Sequence, residues 1–177
     1  MNFISEGDSI SIPSYTKELD YELELGVIIT KPLKNASVEE VTDAIGGFLI
    51  LNDFSARDVQ LDEIECGFGP MKSKNFGSSI SSIVVSKEAL IDKIDNLNVK
   101  VIINGKPIIE SNTQGKFYSF QEAIAYASWE EQLHAGELLG SGTIPGCTGI
   151  ENGVMLHKDD TITLEIEGIG SLTNNII

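Results

Sequence analysis

The stretch LDYELELGVII contains two glutamates, Glu22 and Glu24, within an otherwise apolar segment that has the pattern of a β-strand. Residues two apart in a strand point to the same face, so both carboxylates point one way and Tyr21, Leu23 and Leu25 point the other way. Two like charges in a partly buried place destabilise a fold unless a cation or hydrogen-bond donors compensate them. This stretch alone leaves two interpretations open, a solvent-exposed strand face and a metal site.

A third acid ends the apolar strand within LILNDFSARDVQ, residues 49–60. At the end of a strand the carboxylate of Asp53 can point into a cleft, although Asp53 could equally cap a helix or a turn. We expect Arg57, the only arginine of the chain, and its neighbour Asp58 to pair with each other or with backbone carbonyls.

The glycine-bracketed stretch GFGPMKSKNFGSS contains two lysines, Lys72 and Lys74, in a chain with only 12 basic residues. Their spacing places both on one face of an extended segment, where a lysine pair could bind an anionic substrate. A solvent-exposed loop explains the same pattern equally well.

Three carboxylates on two strand-like elements make a site of hard oxygen ligands. Such ligands suit Mg²⁺, Mn²⁺ or Ca²⁺, whereas zinc prefers histidine or cysteine. The two histidines, His134 and His157, have no partner at a metal-ligand spacing. The sequence therefore disfavours a histidine-based metal site and a Ser-His-Asp triad.

Composition excludes several classes of partner. The 177 residues suffice for one domain with a buried core, and their 27 acidic and 12 basic residues give a net charge of −15. A phosphate backbone or an acidic membrane would be repelled, so we expect neither nucleic-acid nor membrane binding. The apolar runs are only strand-length, no leader opens the chain, and Cys66 and Cys147 show no CxxC spacing. We therefore expect a cytoplasmic protein with reduced thiols.

Strand-like segments dominate the chain. We predict strands at residues 21–30, 48–52, 80–85, 99–103, 107–110 and 161–166. Asn104-Gly105 is a hairpin signal, because both residues tolerate positive φ. Capping boxes at Ser37–Glu40 and Ser119–Glu122 each predict a helix, the second running to about Leu133. Together these elements predict a single α+β, mainly β domain over residues 1–177.

The order of these motifs resembles the fumarylacetoacetate hydrolase family, in its C-terminal catalytic domain. The resemblance runs from about Gly7 to Ile176, and the motifs that carry it are DYELELG, NDFSARDVQ, GFGPMKSKNF, INGK, SFQEAIAYAS, GSGT and EIEGIGSLTN. It implies the family's mixed β-sandwich roll with two or more short helices, usually assembled as a homodimer. It also favours a metal site over a solvent-exposed face for the two glutamates.

The resemblance further implies roles for individual residues. The family's ligands for Mg²⁺ or Mn²⁺, and sometimes Ca²⁺, match Glu22, Glu24 and Asp53. Lys74 matches the active-site lysine that lies near substrate and metal. The positions implied for substrate binding are Gln60 and Thr143, with Lys72 as a second lysine and Glu151 where many members keep an acid.

The family chemistry implies that a small anionic 2-oxo acid chelates the cation, which stabilises the enolate formed during the reaction. Lys74 would add positive charge or donate a proton. We therefore expect a metal-dependent enzyme that acts on acylpyruvate-like 2-oxo acids by C–C bond hydrolysis. The alternatives are an isomerase or decarboxylase for hydroxymuconate- or oxaloacetate-type acids, and a degenerate member without catalysis.

One feature departs from the family pattern. Hydrolytic members usually carry an upstream His-Glu pair that activates water, whereas only 21 residues precede Glu22 and none is a histidine. The family's N-terminal domain is expected to be absent as well. Three explanations stay open: the general base comes from elsewhere, the chain does not hydrolyse, or the chain is a shortened version of a longer protein.

Overall fold

The computed structural model describes residues 2–177 and contains thirteen strands and five helices within that range. The strands are β1 (Phe3–Ser5), β2 (Ser9–Ile10), β3 (Leu19–Asp20), β4 (Leu23–Ile29), β5 (Ile45–Asn52), β6 (Ser55–Ala56), β7 (Ser78–Ile80), β8 (Val85–Ser86), β9 (Asn98–Ile103), β10 (Lys106–Asn112), β11 (Leu138–Gly140), β12 (Thr161–Ile166) and β13 (Gly170–Ile176). The helices are α1 (Val38–Ala44), α2 (Arg57–Glu65), α3 (Lys87–Leu90), α4 (Phe120–Ala127) and α5 (Gly149–Asn152), with a 3₁₀ turn at Ile91–Lys93.

Two sheets form the body of the fold and pack against each other. The first has the order β1-β7-β5-β4-β11, with β8 also paired to β5, and the second has the order β10-β9-β12-β13-β2. Both sheets are mixed, because β1 pairs with β7 and β13 pairs with β2 in parallel while their other pairs are antiparallel. β12 and β13 contact β5 across the interior, which buries one apolar core. The fold is α+β and mainly β, as predicted.

Strand β4 lies in the middle of the first sheet, between β5 and β11. One face of it is buried in the core through Leu23, Leu25, Val27 and Ile29. Full burial of such side chains contributes roughly 1.5–3 kcal/mol each. The core therefore fixes the position of β4, and the opposite face of this strand carries Glu24.

The predicted strand at residues 80–85 is wrong, whereas the other five predicted strands are confirmed within β4, β5, β9, β10 and β12. Strand β7 ends at Ile80 and β8 begins only at Val85. Between them, the N–H of Ser81 donates to the carbonyl of Ile50 at 2.9 Å, and its hydroxyl accepts from the N–H of Ile50 at 3.0 Å. The Ser81 hydroxyl thus takes the place of a backbone carbonyl in the pairing with β5, and the chain leaves the sheet after this residue.

The local signals for turns and helix starts are confirmed. Asn104 and Gly105, with φ of 52° and 74°, join β9 to antiparallel β10. At both capping boxes the serine hydroxyl accepts from the backbone N–H of the glutamate three residues later, and the glutamate side chain accepts from the serine N–H.

Helix α4 ends at Ala127 and not, as predicted, at about Leu133. The hydroxyl of Ser128 accepts from the N–H of Ala36 at 3.0 Å, which fixes the end of the helix against the segment leading into α1. Leu133 instead forms a β-bridge with Leu33. Within residues 2–177, no helix combines the length and the apolar character that a bilayer span requires.

Helix α2 was not predicted. Arg57 is its only buried residue, and no side chain caps its first turn. Such a helix has no apolar stripe that sequence periodicity could detect. It is held by polar contacts at its two ends, and Arg57 at its first residue lies at the candidate site.

Candidate metal centre

Three carboxylates meet where β4 and β5 pair at one end of the first sheet. Glu24 is the second residue of β4, Glu22 lies two residues earlier, and Asp53 directly follows β5. The N–H of Asp53 donates to the carbonyl of Glu22 at 3.1 Å, which keeps the two backbones adjacent. Each acid offers a carboxylate oxygen within 4.8 Å of the corresponding oxygens of the other two.

The strand face that carries the glutamates is not exposed to solvent. Tyr21, Leu23 and Leu25 point into the core, as the alternation predicts, but Glu22 and Glu24 are themselves only 9% and 6% exposed. A solvent-exposed strand face is therefore excluded, and the charges of the two glutamates must be compensated within the protein.

Two cations compensate Glu22. The ammonium of Lys74 lies 2.8 Å from Glu22 Oε2 and 2.8 Å from Asp53 Oδ2, and Nη2 of Arg57 lies 2.8 Å from Glu22 Oε1. Burial raises the pKa of Glu22, but the hydrogen bonds and charges of Lys74 and Arg57 outweigh burial and hold this pKa below its ordinary value. Glu22 is thus ionised and fixed from both sides.

Glu24 has no cationic contact among the described residues. Its Oε2 accepts one hydrogen bond, from the N–H of Gly142 at 3.2 Å. Burial, followed by the charges of Asp53 and Glu22, raises the pKa of Glu24 to about 7. Gly140 leaves the space that this carboxylate occupies, since an added Cβ there would lie 2.3 Å from Glu24 Oε2.

The predicted pairing of Arg57 with Asp58 is wrong. Because α2 begins at Arg57, consecutive side chains diverge by about 100° around the helix axis. Nε of Arg57 donates instead to Asp20 Oδ2 at 2.6 Å, while Asp58 accepts from the hydroxyl of Thr16 and, at 2.9 Å, from the N–H of Lys17.

Sequence reasoning missed Asp20, which is 0% exposed at the end of β3. Its carboxylate also accepts from the hydroxyl of Thr148 at 2.7 Å and from the N–H of Gly149 at 2.6 Å. The available signal was the single arginine, because a lone guanidinium beside an apolar strand requires a carboxylate partner. Asn52 was missed too; its Oδ1 accepts from the N–H of Glu22 at 3.1 Å.

Lys72 and Lys74 do not share a face, contrary to the prediction. The N–H groups of Lys74 and Asn75 both donate to the carbonyl of Met71, so the segment turns and strand alternation does not apply. Lys74 points into the carboxylate group, whereas Lys72 is exposed and its ammonium lies 5.0 Å from the centroid of the Tyr15 ring.

The remaining candidate residues, Gln60, Thr143 and Glu151, differ in burial and in how they are linked to the carboxylates. Gln60 is half-buried, and its Oε1 accepts from Nη1 of Arg57 at 2.7 Å. Thr143 follows Gly142 and lines a small cavity of about 40 Å³. Glu151 is exposed on α5 and does not belong to the carboxylate group.

The charges of the site leave room for a divalent cation. Four carboxylates face two cations, in a group made up of Asp20, Glu22, Glu24, Asp53, Arg57 and Lys74. Two negative charges remain when all four carboxylates are ionised, and the donor atoms are carboxylate oxygens of the kind that hard divalent ions prefer. No histidine of residues 2–177 joins the group. This acidic cluster could bind a metal ion.

Comparison with known proteins finds matches over nearly the whole chain. The family model described as "Fumarylacetoacetate (FAA) hydrolase C-terminal" matches residues 2–177. A fumarylacetoacetate hydrolase domain-containing protein 2 homolog of Dictyostelium discoideum is 35% identical, over 96% of this chain and 58% of that protein. The mitochondrial oxaloacetate tautomerase Fahd2a of Rattus norvegicus is 31% identical, over 96% of this chain and 54% of that protein.

A further relative is the 4-hydroxyphenylacetate degradation bifunctional isomerase/decarboxylase of Escherichia coli, which is 30% identical over 93% of this chain and 37% of that protein. The chain thus spans less than two thirds of each of these three relatives.

Solved structures share the fold. Fumarylpyruvate hydrolase from Pseudomonas aeruginosa, in complex with Mn²⁺ and pyruvate, superposes with a TM-score of 0.85 at 20% identity, over 99% of this chain and 73% of that one. 5-Carboxymethyl-2-hydroxymuconate delta-isomerase from Mycobacterium smegmatis gives 0.84 at 24% identity, over 99% of this chain and 65% of that one. The expected mixed β-sandwich roll is confirmed.

Proposed function

The chain belongs to the fumarylacetoacetate hydrolase family, and from that membership we propose that it is a divalent-metal-dependent enzyme acting on small 2-oxo acids through an enolate. The observation that carries the proposal is the group of three carboxylates, in which Glu24 is buried without a cationic contact in the described part of the chain. The names of relatives at 30–31% identity refer to tautomerase, isomerase and decarboxylase activities. Tautomerisation of oxaloacetate interconverts its keto and enol forms.

We propose that Glu22, Glu24 and Asp53 hold the ion, with Mg²⁺ or Mn²⁺ as the first choice and Ca²⁺ as a further candidate. The all-oxygen donor set and the two uncompensated negative charges support this choice. The fold neighbour that binds Mn²⁺ and pyruvate is consistent with it. A bound ion of this kind supplies a Lewis acid, which lowers the energy of negative charge developing on a substrate oxygen.

Lys74 is proposed as the catalytic residue. Its ammonium touches Glu22 and Asp53 at 2.8 Å and lies within the carboxylate group. From there it can stabilise the negative charge of an enolate or deliver a proton to it. Arg57, in contrast, is fixed by Asp20 and orients Glu22.

Four residues are proposed to bind the substrate. Thr143 is supported by its place in the turn whose Gly142 donates to Glu24, and Gln60 by its hydrogen bond to Arg57. The exposed Lys72 can only attract an anion from solution, and Glu151 has the weakest support because it is exposed and lies outside the carboxylate group.

Two reaction types share the enolate step. C–C bond hydrolysis of an acylpyruvate also needs an activated water, whereas isomerisation or decarboxylation of a hydroxymuconate- or oxaloacetate-type acid does not. The relatives at 30–31% identity, which are named for tautomerase, isomerase and decarboxylase activities, favour isomerisation or decarboxylation. Hydrolysis is the second candidate, favoured by the family's name and by the fumarylpyruvate hydrolase among the fold neighbours.

An assay with and without Mg²⁺ separates these candidates. Oxaloacetate and 2-hydroxymuconates report isomerisation and decarboxylation, and acetylpyruvate and fumarylpyruvate report C–C cleavage. We expect metal-dependent turnover that Glu24→Gln lowers by at least about a hundredfold, while the exposed control Glu131→Gln leaves it unchanged. Metal binding by calorimetry without turnover of any substrate would identify a non-catalytic member, and no binding of Mg²⁺ or Mn²⁺ would overturn the proposal.

We also propose a homodimer. Large apolar side chains remain exposed on this chain, among them Tyr126 and Trp129 at 75% and 68%. Exposed aromatic residues are enriched in protein–protein interfaces. Light scattering after gel filtration checks this proposal, and a monomer mass at micromolar concentration would contradict it.

A further inference from the structure

The segment that delivers Lys74 to the carboxylates has no regular secondary structure. Residues 66–76, between α2 and β7, form turns and bends. Phe68 and Met71 within it are 67% and 56% exposed, so apolar burial holds only its last residue, Phe76, and does not fix the part that precedes Lys74. Yet Lys74, near its end, must be held to within a fraction of an ångström if it is to act on a substrate.

Glu63 supplies the missing anchor. This residue lies near the C-terminal end of α2, and its carboxylate accepts from three consecutive backbone N–H groups: Met71 at 3.0 Å, Lys72 at 2.6 Å and Ser73 at 3.3 Å. It also accepts from the hydroxyl of Ser73 at 2.6 Å. Consecutive N–H groups that converge in this way form a concave anion-binding site, and here an internal carboxylate occupies it.

The contacts of Glu63 reach the residue directly before Lys74. Ser73 is 0% exposed, and its carbonyl accepts from the N–H of Ala56 at 3.0 Å, at the start of α2. Ser73 is thus held between Glu63 and Ala56. Any shift of Ser73 moves the Lys74 backbone by a similar amount, because the two residues share a peptide bond.

Helix α2 therefore connects both cations of the site. Arg57 at its first residue contacts Glu22 and Asp20 directly. Glu63, about 1.7 turns later, binds the segment that carries Lys74. Since α2 buries only Arg57, these polar contacts rather than apolar packing determine where the helix sits.

We propose that Glu63 is the positioning residue for Lys74: it neutralises the concave site formed by residues 71–73 and thereby fixes the catalytic ammonium against the carboxylates. This inference rests on the proposed function in one respect, since it takes Lys74 as the catalytic residue. Glu63 itself does not touch the carboxylate group.

A double-mutant cycle with Lys74→Met tests the proposal. Glu63→Ala removes all four acceptor contacts, and Glu65→Ala, two residues later and exposed, is the matched control. We expect Glu63→Ala to lower kcat at least about tenfold while KM stays within about threefold. In the Lys74→Met background Glu63→Ala should cause no further loss, because the two residues act as one unit. Losses that multiply would overturn the proposal.

Acetylation of lysines, followed by peptide mass spectrometry, tests the same inference without turnover. In the wild type the buried Lys74 should react slowly relative to the exposed Lys106, the first residue of β10. Glu63→Ala should raise the acetylation rate of Lys74 relative to that of Lys106 several-fold, whereas Glu65→Ala should leave this ratio unchanged. An unchanged ratio would overturn the positioning role even if the enzyme is active. A raised ratio in a protein that turns over no 2-oxo acid would support the positioning role and reject the proposed function.

Discussion

Replacing Glu24 by glutamine tests the electrostatics of the candidate metal centre most directly, because glutamine keeps the shape of the side chain and removes its charge. In the metal-free protein, burial and the charges of Asp53 and Glu22 raise the pKa of Glu24 from the ordinary 4.5 to about 7. The folded protein therefore holds this proton more tightly than the unfolded chain does. The contribution of Glu24 to the free energy of unfolding therefore falls as the pH rises from about 4.5 to about 7, and this contribution is smallest above pH 7.

The size of the effect follows from the pKa of Glu24. At about 1.4 kcal/mol for each factor of ten in proton affinity, ionising this buried carboxyl costs roughly 3 kcal/mol. The Glu24→Gln protein does not bear this cost. At pH 8 in EDTA we expect it to be up to about 3 kcal/mol more stable than the wild type, or about 6–12 °C higher in Tm for a chain of this length. At about pH 4 the two proteins should be nearly equal, because Glu24 is then mostly protonated in the unfolded chain as well as in the folded protein.

Thermal and urea unfolding at both pH values measure the difference. The exposed control Glu131→Gln should match the wild type at either pH. Mg²⁺ should narrow the difference at pH 8, since a ligand at about 100 times its Kd would stabilise the wild type by about 2.7 kcal/mol, whereas a protein that has lost a proposed ligand should gain less. The reasoning is refuted if Glu24→Gln gives no stabilisation at pH 8, or the same stabilisation at both pH values.

Two further substitutions test the neighbours of the carboxylates. Arg57→Met should lower the free energy of unfolding by about 3–5 kcal/mol, because it leaves the fully buried Asp20 without its cation; a chemical unfolding curve that matches the wild type would contradict this. Gly140→Ala should weaken Mg²⁺ binding at least about tenfold in calorimetry, because its Cβ displaces the Glu24 carboxylate. Gly69→Ala, which has open space and no positive φ, is its control, and equal affinities would show that Glu24 tolerates the shift.

The sequence predicted the parts of the fold that depend on local chemistry. Alternating apolar residues identified β4, and the Asn104-Gly105 pair identified the β9–β10 turn. Helix α2 was not predicted, because the contacts that hold it join residues far apart in sequence, such as Arg57 and Asp20. The end of the strand before Ser81 was not predicted for a related reason. A serine whose hydroxyl bonds to the N–H of Ile50 cannot be told from any other polar residue in the sequence.

The candidate site shows the same division. The three acids could be proposed from strand alternation and strand ends, because those positions depend on local geometry. The separation of Lys72 from Lys74 could not, because it follows from the turns around Met71 and from Glu63, ten residues before Ser73. Positions within a segment are predictable only when its hydrogen bonds are local.

The charge of the site gives a physical reason for the proposed anchoring of Lys74 by Glu63. In the metal-free protein the ion pairs with Glu22 and Asp53 hold its ammonium. A divalent ion bound by the same carboxylates would balance the two excess negative charges and weaken the hold of both acids on the lysine. The ammonium would then be free to pair with the proposed anionic substrate, but only if the backbone that carries it stays in place. The contacts of Glu63 with residues 71–73 lie outside the carboxylate group, so metal binding leaves them intact when the ion pairs weaken.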